Sequence, residues 1–159
     1  MIKKQFILNF LIIFFIFFLD RISKIYILNI AENTGVVDIT VNSFLNLILV
    51  WNSGIGFGLF QFDQTFTYNL ITIFIFIIIL IIIYLLFIAE KIHQFFLAMI
   101  LGGALGNFYD RIYYSAVPDF IDLNYNGYHW FVFNVADIFI SIGIFMLIFF
   151  KIFKKKNEK

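Results

Sequence analysis

The sequence contains no cysteine, only one proline and few charged residues. Without cysteine the chain can form no disulfide framework, no thiolate metal site and no cysteine nucleophile. Charged residues make up 13% of the chain and the formal net charge is +1, which argues against a nucleic-acid partner. The sequence also lacks HExxH and similar clusters of histidine with carboxylates, so we predict no metal and no other cofactor.

Hydrophobic residues, in contrast, make up 63% of the 159 residues. A soluble domain of this size leaves a large share of its surface in water, so it cannot hide this much apolar area. A lipid bilayer can cover that area. The composition therefore predicts a single integral membrane domain over residues 1–159.

Four apolar stretches stand out, over about residues 6–28, 68–89, 94–109 and 133–153. Crossing about 30 Å of hydrocarbon takes roughly 20 helical residues, which the first and third stretches reach only with their polar ends. The predicted fold class is an all-α membrane protein with four transmembrane helices. A cleaved signal peptide also begins with lysines before an apolar run, but Asp20-Arg21 stands where its cleavage site would be expected. We therefore expect the first helix to be retained.

The lysines predict the orientation of these helices. With both termini on one side, eight of the 11 basic residues share that side: Lys3, Lys4, Lys91, Lys151, Lys154, Lys155, Lys156 and Lys159. The positive-inside rule then places both termini in the cytoplasm. Segments of about 30–66 and 112–132 lie outside. The first alternates like strands in VVDITVNSFLNLILVW, which predicts a small, partly β platform, whereas the second is expected to be a loop over the site.

Polar side chains on three predicted helices fall at one depth. By the helical rise of about 1.5 Å per residue, Asp20, Asn107 and Asp137 lie roughly 21 to 24 Å from the cytoplasmic ends. Asp110 and Arg111 lie slightly higher, and the inner halves of all four predicted helices are read as apolar. A carboxylate at membrane depth costs several kcal/mol unless it faces protein or water. The convergence therefore favours an outward-facing polar site.

Each of these residues also has a purely structural interpretation. Asp20 and Lys24 can end the first helix at the interface, and Asp110 can form a local ion pair with Arg111. Asn134 can cap the fourth helix, with Asp137 three residues further on, where a negative charge favours a helix N-terminus. Only the common depth of the whole set separates the functional interpretation from these structural ones.

The segment VPDFID adds a second carboxylate, Asp119, in the predicted outer loop. Pro118 fixes its own φ and restricts Val117, which helps to hold the following carboxylate. If this loop returns to the membrane surface, Asp119 and Asp137 meet over the site. Two carboxylates in a poorly hydrated place share one proton, so the pair can activate a water molecule and polarise a peptide carbonyl. This is the chemistry of an aspartic protease.

Other mechanisms have less support. A serine triad lacks a suitable base, because His93 is predicted to be cytoplasmic and His129 lies in an outer segment without a nucleophile elbow. The run GIGFG neither follows a clear nucleotide-binding strand nor opens a helix, so it is weak evidence for phosphate binding. A transporter or proton relay would need polar residues along a path through the membrane. A non-catalytic assembly factor would leave the two aspartates without a purpose.

In their order along the chain, these motifs resemble the bacterial lipoprotein signal peptidase (signal peptidase II) family over nearly the whole length. Asp20 with Lys24 resembles the family's first block. VWNSGIGFGLF, with Asn52, Gly54 and Phe57, resembles the second block. GGALGNFYDRI resembles the third block, with Gly102, Gly103, Gly106, Asn107, Asp110 and Arg111. VPDFID and FNVADIFISIG are similar to the two blocks that bear the catalytic aspartates. Residues 30–50 and 122–130 match no family pattern, so substrate details that depend on them stay open.

The resemblance implies an aspartic endopeptidase that cuts diacylglyceryl-modified prolipoproteins just before the lipidated cysteine. Asp119 and Asp137 would be the catalytic dyad. The residues that shape the site or bind substrate would be Asp20, Lys24, Asn52, Gly54, Asn107, Asp110, Arg111 and Asn134. The protein would act without a cofactor, as a monomer in the bacterial cytoplasmic membrane, with its site near the outer leaflet and in contact with membrane lipids.

Overall fold

The computed structural model describes residues 2–54, 65–125 and 127–157. In these ranges the chain forms α1 (Ile2–Thr34), β1 (Asp38–Asn42), β2 (Leu45–Asn52), α2 (Thr65–Ile88), α3 (Lys91–Tyr114), β3 (Val117–Tyr125), β4 (Tyr128–Phe133) and α4 (Val135–Asn157). Gly56, Phe57 and Gly58 of the predicted second block lie outside the described residues.

Two helices extend beyond their predicted ends. α1 continues past residue 28 to Thr34, where Gly35 adopts a φ of 77° and its N–H donates to the Ala31 carbonyl at 2.9 Å. Glycine tolerates this left-handed conformation, which commonly ends a helix. The predicted outer segment 30–66 therefore begins inside a helix. α3 likewise continues past residue 109 to Tyr114, before Ser115 with a φ of 58°, whereas α2 and α4 lie close to their predicted ranges.

α3 is the central helix. It packs against each of the other three helices. In an apolar stretch of 18 residues, 56% of the α3 residues are buried inside the protein, compared with 22% in α1 and 17% in α2. Glycines allow this close packing: a Cβ on Gly102 would lie 2.9 Å from Cβ of Ile16 in α1, and one on Gly103 would lie 2.6 Å from the Ala136 carbonyl oxygen in α4. Small residues at helix contacts are typical of membrane bundles.

Three of the described helices are long and apolar enough to cross a membrane: Lys4–Thr34, Phe66–Ile88 and Lys91–Tyr114. Large apolar side chains on them, such as Phe14 and Phe74, are more than half exposed, as expected where lipid covers the surface. The predicted helical membrane protein is confirmed, while a fourth membrane span stays a prediction.

The four strands form one antiparallel sheet in the order β1-β2-β3-β4. β1 and β2 confirm the predicted platform. The predicted loop over residues 112–132 is wrong, because β3 and β4 form a hairpin. On its other side β3 pairs with β2, where Asp119 lies opposite Val50 and Pro118 lies opposite Trp51. The fold is therefore not all-α. Pro118 is tolerated because it stands near the start of its strand.

Apolar side chains join the sheet to the end of α1. Ile27 of α1, Val37 and Phe120 of β3 form a buried cluster. The ring of Trp51 in β2 also contacts the ring of Tyr114 at the end of α3, with 5.5 Å between their centroids. The sheet is consequently fixed over the helix ends, which brings β3 and its Asp119 against the bundle.

Candidate active site

Asp119 in β3 and Asp137 in α4 are both buried, and both contact Asn134. Asn134 Nδ2 donates a hydrogen bond of 2.6 Å to Oδ1 of Asp119. The backbone N–H of Asn134 donates to Asp137 Oδ2 at 3.2 Å, and the N–H of Asp137 donates to Asn134 Oδ1 at 3.1 Å. This reciprocal pair is a capping box at the start of α4. One asparagine therefore caps the helix, orients Asp137 and ties it to Asp119.

Two further asparagines hold the remaining carboxylate oxygens. Asn52 Nδ2 donates to Asp119 Oδ2 at 2.8 Å, and Asn107 Nδ2 donates to Asp137 Oδ1 at 2.8 Å. All these donors are neutral, and in the described part of the chain neither carboxylate forms an ion pair. The pair can consequently gain or lose a proton without separating an ion pair.

The environment of Asp119 favours its protonated form. Burial is the largest cause that raises the pKa of Asp119 from 3.8 to about 6, and the negative charge of Asp137 acts in the same direction. The hydrogen bonds from Asn134 and Asn52 lower the pKa but do not offset burial. Asp119 thus keeps a proton at a pH where an exposed aspartate would have lost it.

Arg111 links the end of β2 to α3. Its guanidinium donates to the carbonyl oxygens of Gly54 at 2.8 Å and of Asn107 at 3.2 Å. The N–H of Gly54 donates to Asn52 Oδ1 at 2.9 Å. These bonds complete a closed ring of contacts through Asp119, Asn52, Gly54, Arg111, Asn107, Asp137 and Asn134.

Lys24 is buried between three acceptors on two helices. Its Nζ lies 2.9 Å from Asp20 Oδ2, 2.8 Å from Asn107 Oδ1 and 2.6 Å from Asp110 Oδ2. Because the ammonium group can only donate, it holds the oxygen of the Asn107 amide. The amide NH₂ group is thereby directed to Asp137, so a lysine that does not touch the dyad determines how the dyad is bound.

Arg21 belongs to the same cluster, although it was not among the predicted site residues. Its Nη2 forms an ion pair with Asp110 Oδ1 at 2.6 Å and lies 3.5 Å from Asp20 Oδ2. Two cations thus face two buried carboxylates, which leaves the cluster without net charge. The ion pair of Asp110 with Arg111, which the alternative structural interpretation allowed, does not form among the described residues, because neighbouring helical side chains point away from each other. The sequence signal for Arg21 was its position beside Asp20.

Asp20 also connects α1 to the start of α4, since its Oδ1 accepts the N–H of Ala136 at 3.0 Å. With this bond, all ten predicted site residues lie in one connected network: Asp20, Lys24, Asn52, Gly54, Asn107, Asp110, Arg111, Asp119, Asn134 and Asp137. The predicted convergence on one level agrees with this geometry. Over residues 2–54, 65–125 and 127–157, no group of three or more histidine, aspartate or glutamate side chains is arranged to hold a metal ion.

Polar side chains also lie at the opposite end of the bundle, where only apolar residues were predicted. Asn9 of α1 is buried, accepts a hydrogen bond from Gln5 at 3.1 Å and donates to Gln94 of α3 at 3.3 Å. Amides that pair across membrane helices commonly strengthen helix contacts. Residues 10–19 separate Asn9 from Asp20 and are all apolar, so α1 offers no continuous polar path of the kind a transporter needs.

Residues 12–153 match the family model described as signal peptidase (SPase) II. A lipoprotein signal peptidase of Pelagibacter ubique is 56% identical over 159 residues, covering 98% of this chain and 96% of the relative. One of Francisella tularensis subsp. novicida is 39% identical, with 98% and 95% covered. A solved bacterial membrane enzyme, determined in meso at 2.3 Å resolution, has a TM-score of 0.76 and 31% identity, covering 95% of this chain and 91% of that chain.

Proposed function

Because this chain belongs to the signal peptidase II family, we propose that it is an aspartic endopeptidase that removes signal peptides from prolipoproteins. Its substrates already carry a diacylglyceryl group on a cysteine, and the enzyme cuts the peptide bond just before that cysteine. The name lipoprotein signal peptidase, which the relatives in Pelagibacter and Francisella carry, supports this substrate class.

The observation that carries the aspartic mechanism is the pair Asp119 and Asp137, joined through Asn134. Both carboxylates are buried, both are held by neutral donors, and the pKa of Asp119 is raised to about 6. Structural carboxylates at membrane depth are usually neutralised by a cation, as Asp20 and Asp110 are here. Among the described residues no cation forms an ion pair with Asp119 or Asp137, and such a pair is suited to carry one shared proton.

In the proposed reaction Asp119 initially holds the proton and Asp137 is ionised. Asp137 lies in the first turn of α4 and accepts a backbone N–H, both of which offset part of the cost of burying its negative charge. Asp137 removes a proton from water, the water oxygen bonds to the scissile carbonyl carbon, and Asp119 gives its proton to the carbonyl oxygen. When the tetrahedral gem-diol collapses, the C–N bond breaks, Asp137 protonates the leaving amine, and Asp119 recovers the proton from the gem-diol hydroxyl.

The other eight residues have supporting roles in this proposal. Asn107 and Asn134 orient the carboxylates, and the cluster of Asp20, Lys24 and Asp110 holds Asn107 in turn. Asn52, Gly54 and Arg111 border Asp119 where the chain continues into residues 55–64, and we assign this border to substrate binding. All ten residues come from one chain and water is the co-reactant, so the proposed reaction is written for a monomer without a cofactor.

We also propose that α4 is the fourth membrane span, in the bacterial cytoplasmic membrane. It follows α3 along most of its length: a Cβ on Gly143 would lie 2.6 Å from Ile100 Cγ1, and the rings of Phe150 and Phe96 are 5.5 Å apart. Both termini then lie on the side of Lys91, which the positive-inside rule makes cytoplasmic. A reporter that works only in the cytoplasm should be active when fused after Lys159. Activity there of a reporter that works only outside would contradict this orientation.

The predicted position of the dyad near the outer leaflet gives the lipid group a physical role. The sheet carries Asp119 and covers the end of the bundle where Asp137 lies, and membrane lipids surround the helices below it. A diacylglyceryl group anchored in the outer leaflet holds the adjacent peptide bond at this level, which raises its effective concentration at the site.

The experiment compares purified protein acting on a diacylglyceryl-modified prolipoprotein and on the same precursor without the lipid. We expect the modified precursor to lose its signal peptide, with the lipidated cysteine as the new N-terminus by mass spectrometry. The unmodified precursor should stay uncut. Equal cleavage of both would reject the proposed substrate, and cleavage at another bond would reject the proposed site of cutting.

A further inference from the structure

A third buried carboxylate lies on β3 outside the network described above. Asp122 is 0% exposed, and its Oδ2 lies 2.8 Å from Nδ1 of His129 and 3.2 Å from Nδ2 of Asn46. In the described part of the chain, the ion-pair partner of Asp122 is His129, whose side chain is 59% exposed. Oδ1 of Asp122 has no hydrogen-bond partner in that part of the chain. A buried carboxylate whose two partners, a half-exposed imidazole and an amide, share one of its oxygens is an expensive feature, which calls for a reason.

The three residues belong to three neighbouring strands. Asp122 in β3 lies opposite Asn46 in β2 and Val132 in β4, while His129 lies opposite Asn124. The register of β3 and β4 shifts between Asp122 and Asn124, so the backbone ladder is interrupted there. The side-chain contact of Asp122 with His129 spans this irregularity and fixes the two strands where their backbone pairing does not.

The alignment of these strands determines the geometry of the dyad. β3 carries Asp119, three residues before Asp122, and β4 ends at Phe133, directly before Asn134. The bond of 2.6 Å from Asn134 to Asp119 therefore joins the same two strands at the site. A small slip of β4 along β3 would lengthen that bond and also move the capping box that holds Asp137.

We propose that Asp122 and His129 are positioning residues for the peptidase reaction. They hold β3 and β4 in the alignment that keeps Asn134 in contact with both catalytic carboxylates. The proposal rests on the proposed function, since it assigns a role within that site, and it gives neither residue a contact with the substrate.

The test measures kcat and KM for cleavage of a lipid-modified precursor, with activity expressed per folded protein. His129→Phe keeps a ring but removes the hydrogen bond, and Asp122→Ala removes its acceptor. Each change should lower kcat by roughly tenfold or more with little change in KM, because small misplacements of catalytic groups cost rate rather than binding. The double change should be no worse than either single one, since both remove the same contact.

Conservative variants separate positioning from general damage to the fold. His129→Asn places an amide NH₂ where Nδ1 stood, and Asp122→Asn keeps an oxygen acceptor without the charge, so both should recover most of kcat. Tyr128→Phe, at the exposed neighbouring position of β4, should leave kcat unchanged. Unchanged kcat per folded protein in His129→Phe, or equal losses in His129→Phe and His129→Asn, would overturn the positioning role.

The outcome also separates this inference from the proposed function. If the unaltered protein does not cleave the lipid-modified precursor, the proposed function fails. If it cleaves and the Asp122 and His129 variants cleave equally fast, only the positioning role fails. Altered kcat in these variants, with unaltered unfolding temperature, would support both.

Discussion

Gly106 of α3 and Asp20 of α1 approach so closely that a Cβ on the glycine would lie 2.5 Å from Oδ2 of Asp20. The same Oδ2 accepts the hydrogen bond from Lys24 at 2.9 Å. Backbone at position 106 thus forms one wall of the buried charge cluster, and only a residue without a side chain leaves space for it. The cluster in turn holds Asn107, the next residue of α3.

Gly106→Ala should therefore lower the unfolding temperature and also impair activity. Alanine is the better helix former, but overpacking a buried site typically costs about 1–3 kcal/mol and outweighs that gain. Thermal unfolding in detergent would measure the loss. Ser141→Thr adds one methyl group at an exposed position of α4 and is the control. An alanine variant as stable as the unaltered protein would show that Asp20 can move away without cost.

Lys24→Met should destabilise the fold more strongly than Gly106→Ala. The change leaves two buried carboxylates with Arg21 as the remaining cation, and breaking a buried charge pair costs about 3–5 kcal/mol. Asp20→Asn in the same chain should recover part of the loss, because it removes one uncompensated charge. Lys4→Met, the same change at an exposed position of α1, should have little effect. Similar unfolding temperatures for the two methionine variants would contradict the structural role of the cluster.

The sequence predicted the helical part of this fold well because lipid imposes simple rules on it. Four long apolar stretches had to be helices, since only helices satisfy their own backbone in hydrocarbon. The helix ends were less predictable. The end of α1 at Thr34 depends on Gly35, which lies beyond the apolar stretch, and on the packing of Ile27 under the sheet, which is a tertiary contact.

The sheet was only half predicted. The strands of residues 38–52 alternate in places, whereas Pro118 and two charged residues made residues 117–125 resemble a loop. Their strand forms because β2 and β4 pair with it on both sides, which is a tertiary effect that no local pattern carries.

The ten predicted site residues lie in one network, as expected because polar residues at membrane depth must find partners, while their role as a site stays a prediction. The partners themselves could not be predicted. Asp110 pairs with Arg21 and Lys24 across two helices rather than with its neighbour Arg111, and Asn134 serves as cap and bridge at once. The partners of Asp110 follow from the packing of α1 against α3, whereas the double role of Asn134 follows from its position between β4 and α4.

The raised pKa of Asp119 predicts how stability depends on pH. The folded pKa of about 6 exceeds the ordinary 3.8, so the folded state binds this proton more tightly than the unfolded state. The stability it contributes is complete below about pH 4 and is lost as the pH rises through about 6, by an amount on the order of 3 kcal/mol. Asp119→Asn should lack this component.

The measurement compares unfolding temperatures between pH 4 and pH 7 for the unaltered protein and for Asp119→Asn. The unaltered protein should lose more stability over this range than the variant does. The comparison uses the slope of unfolding temperature against pH rather than the unfolding temperatures themselves. An amide at position 119 also faces the amide donors of Asn52 and Asn134, which changes the unfolding temperature at every pH. Equal slopes would mean that Asp119 is ionised throughout and does not hold the shared proton.

Asp119→Asn and Asp137→Asn should each abolish cleavage, because an amide of the same shape cannot accept and return a proton. The double variant should be little worse than either single one, since the two carboxylates act as a unit. At neutral pH each variant should unfold at the same temperature as the unaltered protein or slightly above it, because each change removes one of two buried carboxylates that repel each other. Asp38→Asn, at an exposed position of β1, should keep full activity. Cleavage retained in folded Asp137→Asn, or activity lost only in proportion to folded protein, would make the carboxylates structural rather than catalytic.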